Sequence, residues 1–281
     1  MIINGKKVAA DLRGELKKKV VELKSSYNAI PGLTVILVGE DLPSKIYVKN
    51  KEKCAIEVGI SSEVLRYSDN VEEQVVLNKI KELNKNDKVS GILVQLPLPK
   101  HINKRKVIET IDPKKDVDGL HPVNVGNLSS GYNSTIPCTP LGCYLLIKNT
   151  EKNLNGKHAV IIGRSNLNGK PMTQLLLKEN CTVTITHSKT KDLKSECSRA
   201  DIIVAAVGRP KLVKGDWVKK GAIVIDVGIN KTDSGLVGDV DFDEVAKVAK
   251  AITPVPGGVG PMTIACLLNN TVECFKKAQS N

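Results

Sequence analysis

Short runs of β-branched and other apolar residues alternate along this chain with helical patterns, and this alternation limits the folds that are open to it. In the first half, a helical pattern over residues 8–23 precedes an apolar run at 33–38, which ends at Gly39. A second helical pattern at 71–83 precedes an apolar run at 89–96. Buried strands separated by helices form parallel sheets that helices cover. The pattern therefore predicts an α/β fold.

The alternation resumes after an irregular segment, residues 112–139, which is rich in Gly, Pro, Asn and Ser. That segment ends in Thr139-Pro140, a good N-cap followed by a proline at the first helical position. This half is typical of a dinucleotide-binding unit, a Rossmann-type doubly wound parallel sheet. A glycine-rich loop at 254–261 and a closing helix from Met262 to Lys277 complete the chain. The strand candidates of this half are residues 158–162, 182–186, 202–207 and 222–227.

The length of 281 residues exceeds the usual span of one compact domain, so we expect two domains. The first, residues 1–120, would be an α/β catalytic domain, joined by the C-terminal helix at about residues 262–281. The second, residues 121–281, would be the Rossmann-type domain.

The chain carries 42 lysines and arginines against 30 acidic residues, and the resulting net charge of +12 attracts anions. Aromatic residues make up only 3% of the sequence, and the lysines are dispersed along it. Nucleic-acid binding is therefore disfavoured, because the stacking platforms that accompany basic residues in such proteins are missing. The charge favours a polyanionic small substrate or a merely solvated basic surface.

The seven cysteines are scattered, form no C-x-x-C pair, and have no histidine nearby at the spacing of zinc ligands. We interpret them as reduced, mostly buried side chains and expect no metal. No apolar run reaches the roughly 18 residues of a membrane span. The first 19 residues lack a signal-peptide core, and Asp11 and Glu15 argue against a transit peptide. We therefore expect a soluble, cytoplasmic protein.

Lys51 occupies an unusual place in a predicted helix that Ser44 would cap and that would run to about Val58, with Gly59 as its stop. Helical geometry puts Lys51 on an otherwise apolar stripe and the other lysines of this helix on the opposite side. A lysine there either snorkels to solvent or is desolvated, which lowers its pKa and supplies an amine for proton transfer. The pattern alone leaves both readings open. The stripe contains Tyr47, Lys51, Cys54, Ala55 and Val58, and the opposite set is Lys45, Lys49 and Lys53.

Two further polar side chains are placed where ligands bind in α/β sheets. Gln95 ends a buried run and is followed by prolines, and Asp118 precedes Gly119 in a turn. The carboxyl ends of parallel strands are the ligand-binding edge of such sheets. Taken singly, Gln95 is equally suited to bonding a loop backbone, and Asp118 is an ordinary turn residue.

The segment from Gly163 to Gly169 follows the first strand of the second half and opens a helix that runs through Leu177. Glycine permits close approach of a pyrophosphate, and a helix N-terminus presents free N–H groups to an anion. The spacing is not G-x-G-x-x-G, so an ordinary strand-to-helix turn is an equal alternative.

The next predicted strand is followed by His187, Ser188 and Lys189, where an NAD enzyme carries an acid that binds the ribose 2′-hydroxyl. No acid stands there. Ser188 and Lys189, together with Arg164, would instead pair with a 2′-phosphate, which favours NADP over NAD. The alternative is that His187 and Ser188 are simple loop residues. A metal-binding role for His187 is disfavoured because it has no partner at suitable spacing.

Seven motifs together resemble the methylenetetrahydrofolate dehydrogenase/cyclohydrolase family, in the order of the family and over nearly the whole chain. The resemblance implies oxidation of 5,10-methylenetetrahydrofolate with NADP, then hydrolysis of the methenyl product to 10-formyltetrahydrofolate, with the folate in a cleft between the two domains. It favours the catalytic reading of Lys51. The motifs are Ser44-x-x-Tyr47-x-x-x-Lys51, Val94-Gln-Leu-Pro-Leu-Pro99, Lys115-Asp-Val-Asp-Gly119, Pro137-Cys-Thr-Pro140, Gly163-Arg-Ser165, His187-Ser188 and Pro256-Gly-Gly-Val-Gly-Pro-Met-Thr263.

The resemblance also implies roles for single residues in folate binding and catalysis. Lys51 would handle the protons of ring opening, and Gln95 would orient and tune it. Tyr47 would pack on an aromatic ring of the folate, and Asp118 would bind the polar edge of the pterin. A neutral amine suits this chemistry because water must attack a cationic carbon at neutral pH. The remaining folate contacts would be Leu96, Pro97, Gly257 and Gly258.

For the cofactor, the resemblance implies that Gly163, Arg164 and Ser165 form the phosphate loop. Ser188 would contact the 2′-phosphate, and Ile229 would offer a backbone contact to the nicotinamide. Members of the family are typically homodimers. The glutamate tails of folates would give the net positive charge a use.

The sequence departs from the family pattern at Asn168, where valine is usual, and at Thr186, where cysteine is frequent. Both flank the cofactor segments and concern cofactor affinity rather than the reaction. Two rival hypotheses remain. One is an NADP dehydrogenase of a hydroxy acid or shikimate-like substrate without hydrolase activity, and the other is a binding protein with an inactive Rossmann domain.

Overall fold

The computed structural model describes residues 1–233 and 235–280, and the contacts of the chain divide it into two compact units. The five-stranded unit comprises Met1–Ala9 and Thr139–Thr263, and the three-stranded unit comprises Ala10–Cys138 and Ile264–Asn281.

This division differs from the expected boundary between residues 120 and 121. Residues 119–138 stay with the first half of the chain, because Asn270 on the closing helix donates to the carbonyls of Val117 and Ile136, both at 2.9 Å. The first nine residues group with the second half. There the amide of Ile3 donates to the carbonyl of Ile252 at 2.8 Å.

The three-stranded unit has a parallel sheet in the order β2-β1-β3. Strand β1 is central, and all seven of its residues are buried, as expected for a strand covered on both faces. Its elements are β1 (Gly32–Val38), α2 (Leu42–Val58), β2 (Ser61–Tyr67), α3 (Glu73–Asn84), β3 (Gly91–Val94), α4 (Lys104–Thr110) and α5 (Pro122–Ser129), together with most of α1 (Gly5–Tyr27) and α10 (Val259–Gln279).

The five-stranded unit has a parallel sheet in the order β10-β7-β6-β4-β5. From β4 the chain passes to the edge strand β5 and then to β6 on the other side of β4, so the strand order reverses beside β4. The α/β prediction and the Rossmann-type sheet are confirmed. The elements are α6 (Cys138–Thr150), β4 (His158–Ile162), α7 (Gly169–Lys178), β5 (Thr182–Thr186), α8 (Leu193–Ser198), β6 (Ile202–Ala205), a 3₁₀ turn (Gly215–Trp217), β7 (Ile223–Asp226), β8 (Asn230–Thr232), β9 (Gly235–Val237), α9 (Phe242–Val245) and β10 (Ala251–Ile252).

Several elements differ from the sequence prediction at their ends. Asp41, not Ser44, caps α2: its carboxylate accepts the amide of Ser44 at 3.0 Å, and Ser44 lies inside the first turn. The stop at Gly59 is confirmed, with φ 88°. Helix α10 begins at Val259, inside the segment that the glycines and prolines had marked as a loop.

Several elements have no counterpart in the prediction, among them β2, α5 and the pair β8–β9. Strand β2 was missed because it is an edge strand whose residues are half-buried or exposed, so it has no continuous apolar run. Helix α5 is short and lies within the segment expected to be irregular. The antiparallel pair β8–β9 has three residues per strand, too few for a periodic signal.

Asn270 fixes helix α10 to the segment that precedes α6. Its side-chain amide is buried and donates to two carbonyls, and it also lies 3.6 Å from the sulfur of Cys138. Removing the amide would take a donor from each of these carbonyls inside the protein, which costs more free energy than the loss of an exposed hydrogen bond. Among the described residues, no helix is long and apolar enough to cross a membrane.

We expect Asn270→Ala to lower the free energy of unfolding by about 2–4 kcal/mol, because the carbonyls of Val117 and Ile136 each lose an amide donor and Val117 keeps only the weaker thiol donor of Cys138. Urea unfolding followed by far-UV circular dichroism measures the change. Asn269→Ala, at a half-buried neighbouring position, is the matched control. Fluorescence of the single tryptophan, Trp217, reports the five-stranded unit separately. Equal midpoints for the two variants would contradict the anchoring role.

Candidate active site

Lys51 lies on the buried face of α2, as the helical pattern predicted. It is 9% exposed, whereas Lys49 and Lys53 are exposed to solvent. Tyr47 departs from the predicted stripe: it is 37% exposed, one position to the side of the buried row. The row consists of Ser44, Val48, Lys51, Ala55 and Val58, at the spacing of one helix face.

Gln95 binds the buried lysine. The ammonium of Lys51 donates to Oε1 of Gln95 at 2.9 Å, and Nε2 of Gln95 donates to the carbonyl of Leu96 at 2.6 Å. The main chain of Gln95 is held in turn, because its amide donates to the carbonyl of Ile36 on β1 at 2.8 Å. Since both ends of the Gln95 amide are bonded, its orientation is fixed, and Lys51 is held inside the unit rather than reaching solvent.

Asp118 is held near Lys51 by contacts of its own segment with β3. The amide of Ile92 on β3 donates to the carbonyl of Lys115 at 2.8 Å, and Ile92 pairs with Asp116, so this segment runs alongside β3. The buried Asp116 fixes the next turn by accepting the amide of His121 at 2.8 Å. Asp118 thereby comes close enough to Lys51 for each charge to shift the pKa of the other.

Burial dominates the electrostatics of this pair. Desolvation lowers the pKa of Lys51, and the opposing charge of Asp118 does not reverse that direction. Desolvation likewise raises the pKa of Asp118, against the attraction of Lys51. Both shifts favour the uncharged forms. A lysine with a lowered pKa supplies a neutral amine closer to neutral pH than an exposed lysine does.

Cys138 belongs to this cluster, although the sequence indicated only a small buried side chain. Its thiol donates to the carbonyl of Val117 at 3.3 Å. Burial, followed by the charge of Asp118, raises the pKa of the thiol well above its ordinary value, so it remains protonated. The signal that was available is the motif Pro137-Cys-Thr-Pro140, which places a cysteine where α6 begins.

The predicted phosphate loop follows β4 in the five-stranded unit. Gly163 has φ 117°, a value that side-chain-bearing residues rarely adopt, and its amide donates to the carbonyl of Thr186 at 3.0 Å. A Cβ on Gly169, at the start of α7, would lie 1.9 Å from the carbonyl oxygen of Gly163. Both glycines are therefore required by the tight turn. Arg164 and Ser165 between them are exposed.

The end of β5 leaves Ser188 and Lys189 exposed. The ring of His187 is bonded locally, since its Nδ1 lies 3.1 Å from the amide of Lys189. The departure at Thr186 is accommodated within the sheet, where its hydroxyl donates to the carbonyl of Ile161 at 3.1 Å. Asn168 precedes α7 without a capping bond from its side chain.

Two further segments predicted to bind ligands lie at the same edge of the five-stranded sheet. Ile229, just after β7, is 50% exposed. Gly257, after β10, has φ 104°, and its carbonyl accepts the amide of Lys6 at 3.1 Å. A Cβ on Gly258 would lie 2.6 Å from the carbonyl oxygen of Pro254. All the predicted cofactor residues thus follow the carboxyl ends of parallel strands, the ligand-binding edge of such sheets.

Within the described part of the chain, no group of three or more His, Cys, Asp or Glu side chains is arranged to hold a metal ion. The site chemistry therefore consists of an amine, an amide, a carboxyl and a thiol in one unit, and of glycine-rich turns with exposed basic and hydroxyl side chains in the other.

Two family models match the chain. Residues 3–118 match the catalytic domain of tetrahydrofolate dehydrogenase/cyclohydrolase, and residues 137–279 match the NAD(P)-binding domain of the same family. Together they cover nearly the whole sequence.

Individual relatives agree with these matches. The chain is 74% identical to the bifunctional protein FolD of Pelagibacter ubique (strain HTCC1062), over 99% of both chains. Among solved structures, the bifunctional FolD enzyme of Campylobacter jejuni is 50% identical, with a TM-score of 0.96 over 99% of both chains. The methylenetetrahydrofolate dehydrogenase-cyclohydrolase of Trypanosoma brucei, complexed with NADP cofactor and inhibitor, is 38% identical, with a TM-score of 0.94 over 100% of this chain and 99% of that one.

We expect Asp118→Asn to lower the pKa of Lys51 further, because the substitution removes the nearest opposing charge and leaves burial unchanged. The measurement is a pH titration of the lysine side-chain carbons by NMR, with Lys51→Met used to assign the signal. The signal of the exposed Lys49 serves as the internal control for global changes. An unchanged or raised midpoint for Lys51 would contradict the coupling of the two groups.

Proposed function

The chain belongs to the tetrahydrofolate dehydrogenase/cyclohydrolase family, and on that premise we propose that it oxidises 5,10-methylenetetrahydrofolate with NADP and hydrolyses the methenyl product to 10-formyltetrahydrofolate. The observation that carries the proposal is the buried Lys51 bonded to Gln95, with its pKa lowered. The three-stranded unit would bind the folate and perform the hydrolysis. The five-stranded unit would bind NADP.

The residues at the edge of the five-stranded sheet fit NADP. A Cβ on Gly163 would lie 2.4 Å from the carbonyl oxygen of Ala206, and one on Gly169 would lie 1.9 Å from that of Gly163, so the loop is as close-packed as a pyrophosphate site requires. Arg164 and Ser188 are exposed and can pair with a 2′-phosphate, and residues 187–189 after β5 include no carboxylate to repel it. When bound, the nucleotide supplies the hydride acceptor. Ser165 would bind phosphate, and the main chain of Ile229 would bind the nicotinamide amide.

For the oxidation, the protein needs to hold the folate in place rather than move a proton. Tyr47 is exposed on α2, one turn before Lys51, and would pack on an aromatic ring of the folate. Asp118 would bind the polar edge of the pterin, which presents N–H donors. Leu96 and Pro97 would line the same surface. The family resemblance assigns the remaining folate contacts to Gly257 and Gly258.

For the hydrolysis, Lys51 is the proton-transfer group. Water adds to the methenyl carbon, and the amine of Lys51 accepts the proton that the water loses. The carbon–N5 bond then breaks, N5 takes a proton from Lys51, and the remaining hydroxyl proton leaves as the formyl carbonyl forms. Gln95 holds the Lys51 nitrogen in position through Oε1. A lysine that stayed charged would oppose both the cationic substrate and the first proton transfer.

The partner proposals concern glutamate tails and a second copy of the chain. Folates with several glutamates are polyanions, and the net charge of +12 favours them through long-range attraction. No disulfide is present among the described residues, which suits a reducing compartment, and we place the enzyme in the cytoplasm. A homodimer is supported by β5, an edge strand without charged residues that pairs with β4 on one side only among the described strands.

Replacing Lys51 by methionine should abolish hydrolysis and leave folate binding largely intact, because the side-chain volume is kept and the amine is lost. The measurement pairs two assays: NADPH formation from methylenetetrahydrofolate, and nucleotide-independent loss of the methenyl absorbance. Lys49→Met, on the exposed side of α2, is the control and should match the wild type. Near-native hydrolysis by Lys51→Met would show that Lys51 is not the proton-transfer group. Wild-type hydrolysis no faster than buffer would remove the cyclohydrolase, and no turnover at all would favour a binding protein.

Replacing Arg164 by alanine should raise KM for NADP much more than KM for NAD, by about tenfold or more in their ratio, since one charge-assisted pair with the 2′-phosphate is lost. Steady-state kinetics with both nucleotides measure the ratio. Arg199→Ala, also exposed in the five-stranded unit but at the end of α8, is the control. Equal losses for NADP and NAD would show that Arg164 does not contact the 2′-phosphate.

Replacing Ile185 on β5 by lysine should convert the proposed dimer into a monomer, because a charge on an edge strand opposes pairing with a second edge. Light scattering coupled to gel filtration measures the mass. Val75→Lys on α3 is the control, as Val75 is exposed to a similar extent, 44% against 37%. A monomeric wild type would refute the dimer, and a dimeric Ile185→Lys protein would place the interface elsewhere.

A further inference from the structure

One buried carboxylate, that of Asp239, binds the loops that follow two neighbouring strands. Its Oδ2 accepts the amides of Val207 at 2.7 Å and Gly208 at 3.0 Å, and its Oδ1 accepts the amide of Arg209 at 2.8 Å. Oδ1 also accepts the side-chain amide of Asn230 at 2.9 Å. Asp239 is 0% exposed. Four donors therefore converge on one charge with no contribution from solvent.

A second carboxylate holds the first in place. Oδ1 of Asp226 accepts the main-chain amides of Gly228 at 3.0 Å and Asp239 at 2.9 Å, and Oδ2 accepts that of Val240 at 2.9 Å. The amide of Asp226 donates to the hydroxyl of Thr253 at 2.7 Å. The main chain of Asp239 is thus fixed to the end of β7, while its side chain fixes the loop after β6.

Two glycines show how closely the pair is packed. A Cβ on Gly228 would lie 2.3 Å from Oδ1 of Asp239, and a Cβ on Gly238 would lie 1.8 Å from Oδ2 of Asp226. Neither position admits a side chain without moving a carboxylate. Both the hydrogen bonds and the close packing therefore hold the two carboxylates in one arrangement. A loop that merely covers a sheet does not require such close packing.

The bound loops lie where the proposed cofactor site requires a fixed main chain. Residues 206–209 follow β6 and residues 227–230 follow β7, so both leave the carboxyl edge of the sheet. Ile229, whose main chain would bind the nicotinamide, lies between Gly228, bonded to Asp226, and Asn230, bonded to Asp239. The loops after β4 and β5, which would bind the phosphates, are not part of this network.

We propose that Asp239 is a positioning residue for the dehydrogenase reaction: through the Val207–Arg209 amides and Asn230 it sets the main chain that receives the nicotinamide half of NADP. This inference rests on the proposed function, and it deepens that function by dividing the cofactor site into two halves. The loops after β4 and β5 set the preference for the 2′-phosphate. Asp239 sets the alignment of the nicotinamide, which the hydrolysis does not use.

The test compares Asp239→Asn with Asp241→Asn in the full-length protein. Asparagine keeps the size of the side chain, but its NH₂ group cannot accept the donors that one carboxylate oxygen now serves. Asp241, two residues further along the chain, is also buried but pairs with Lys214 at 3.0 Å, so it is a matched carboxylate from the same segment.

For Asp239→Asn we expect kcat/KM for NADP to fall by about tenfold to a hundredfold, because a small misplacement of a reacting group has costs of that order. The losses with NADP and NAD should be equal, unlike those of Arg164→Ala. Hydrolysis should stay within about twofold of the wild type. Asp241→Asn should leave both reactions within about twofold.

An unchanged kcat/KM in folded Asp239→Asn would overturn the inference. So would a lower urea midpoint of Trp217 fluorescence with unchanged kinetics, since that describes a purely structural residue. If Asp239→Asn does not fold, Asn230→Ala removes a single donor, and it should raise KM for NADP several-fold without affecting hydrolysis. An unchanged KM for NADP in Asn230→Ala would also overturn the inference. A wild-type protein without folate turnover would refute the proposed function. The affinities of the wild type and of Asp239→Asn for NADP, measured by titration, would then test the role of Asp239 separately.

Discussion

The burial of one lysine is the interaction on which the proposed chemistry of this protein depends. Desolvation of a charged amine is costly, and a helix face that carries Val48, Ala55 and Val58 normally excludes it. The structure keeps Lys51 there by giving its nitrogen one fixed acceptor, Oε1 of Gln95, and a carboxyl group nearby. The acceptor and the carboxyl limit the cost of burial without restoring the ordinary pKa of the amine. In the proposed function, this amine is the base of the hydrolysis.

Parallel sheets explain why the functional groups of each unit come together. In the three-stranded unit, Gln95 follows β3, and the segment that carries Asp118 pairs with the same strand. In the five-stranded unit, the glycine turns, Ser188 and Ile229 each follow a different strand. Because all strands of a parallel sheet point the same way, residues far apart in sequence reach one edge. The two units thus use the same geometry for different chemistry, proton transfer in one and nucleotide binding in the other.

Buried carboxylates have two distinct roles in the molecule. Burial raises the pKa of Asp118, and its charge is coupled to that of Lys51, the proposed proton-transfer group. Burial also raises the pKa of Asp226, to about 7, but Asp226 and Asp239 accept main-chain amides and hold loops in place. The difference follows from their partners, because a carboxylate surrounded by N–H groups is a structural element, whereas one facing a titratable amine takes part in proton balance.

The sequence by itself determined the fold class, the face of α2 on which Lys51 lies and the glycine turn after β4, because these depend on local periodicity and on steric rules that act over a few residues. It missed β2, whose edge position leaves it half-exposed, and it indicated Cys138 only as a core residue. Only the tertiary structure decided that Gln95 bonds Lys51, that Cys138 and Asp118 join them, and that Asp239 binds two loops. These contacts join residues that are distant in sequence, 44 positions apart for Lys51 and Gln95 and 30 to 32 for Asp239 and the loop after β6. No periodic pattern specifies which polar side chains will meet when strands align. The sequence thus set the strands and turns, and their packing selected the chemistry.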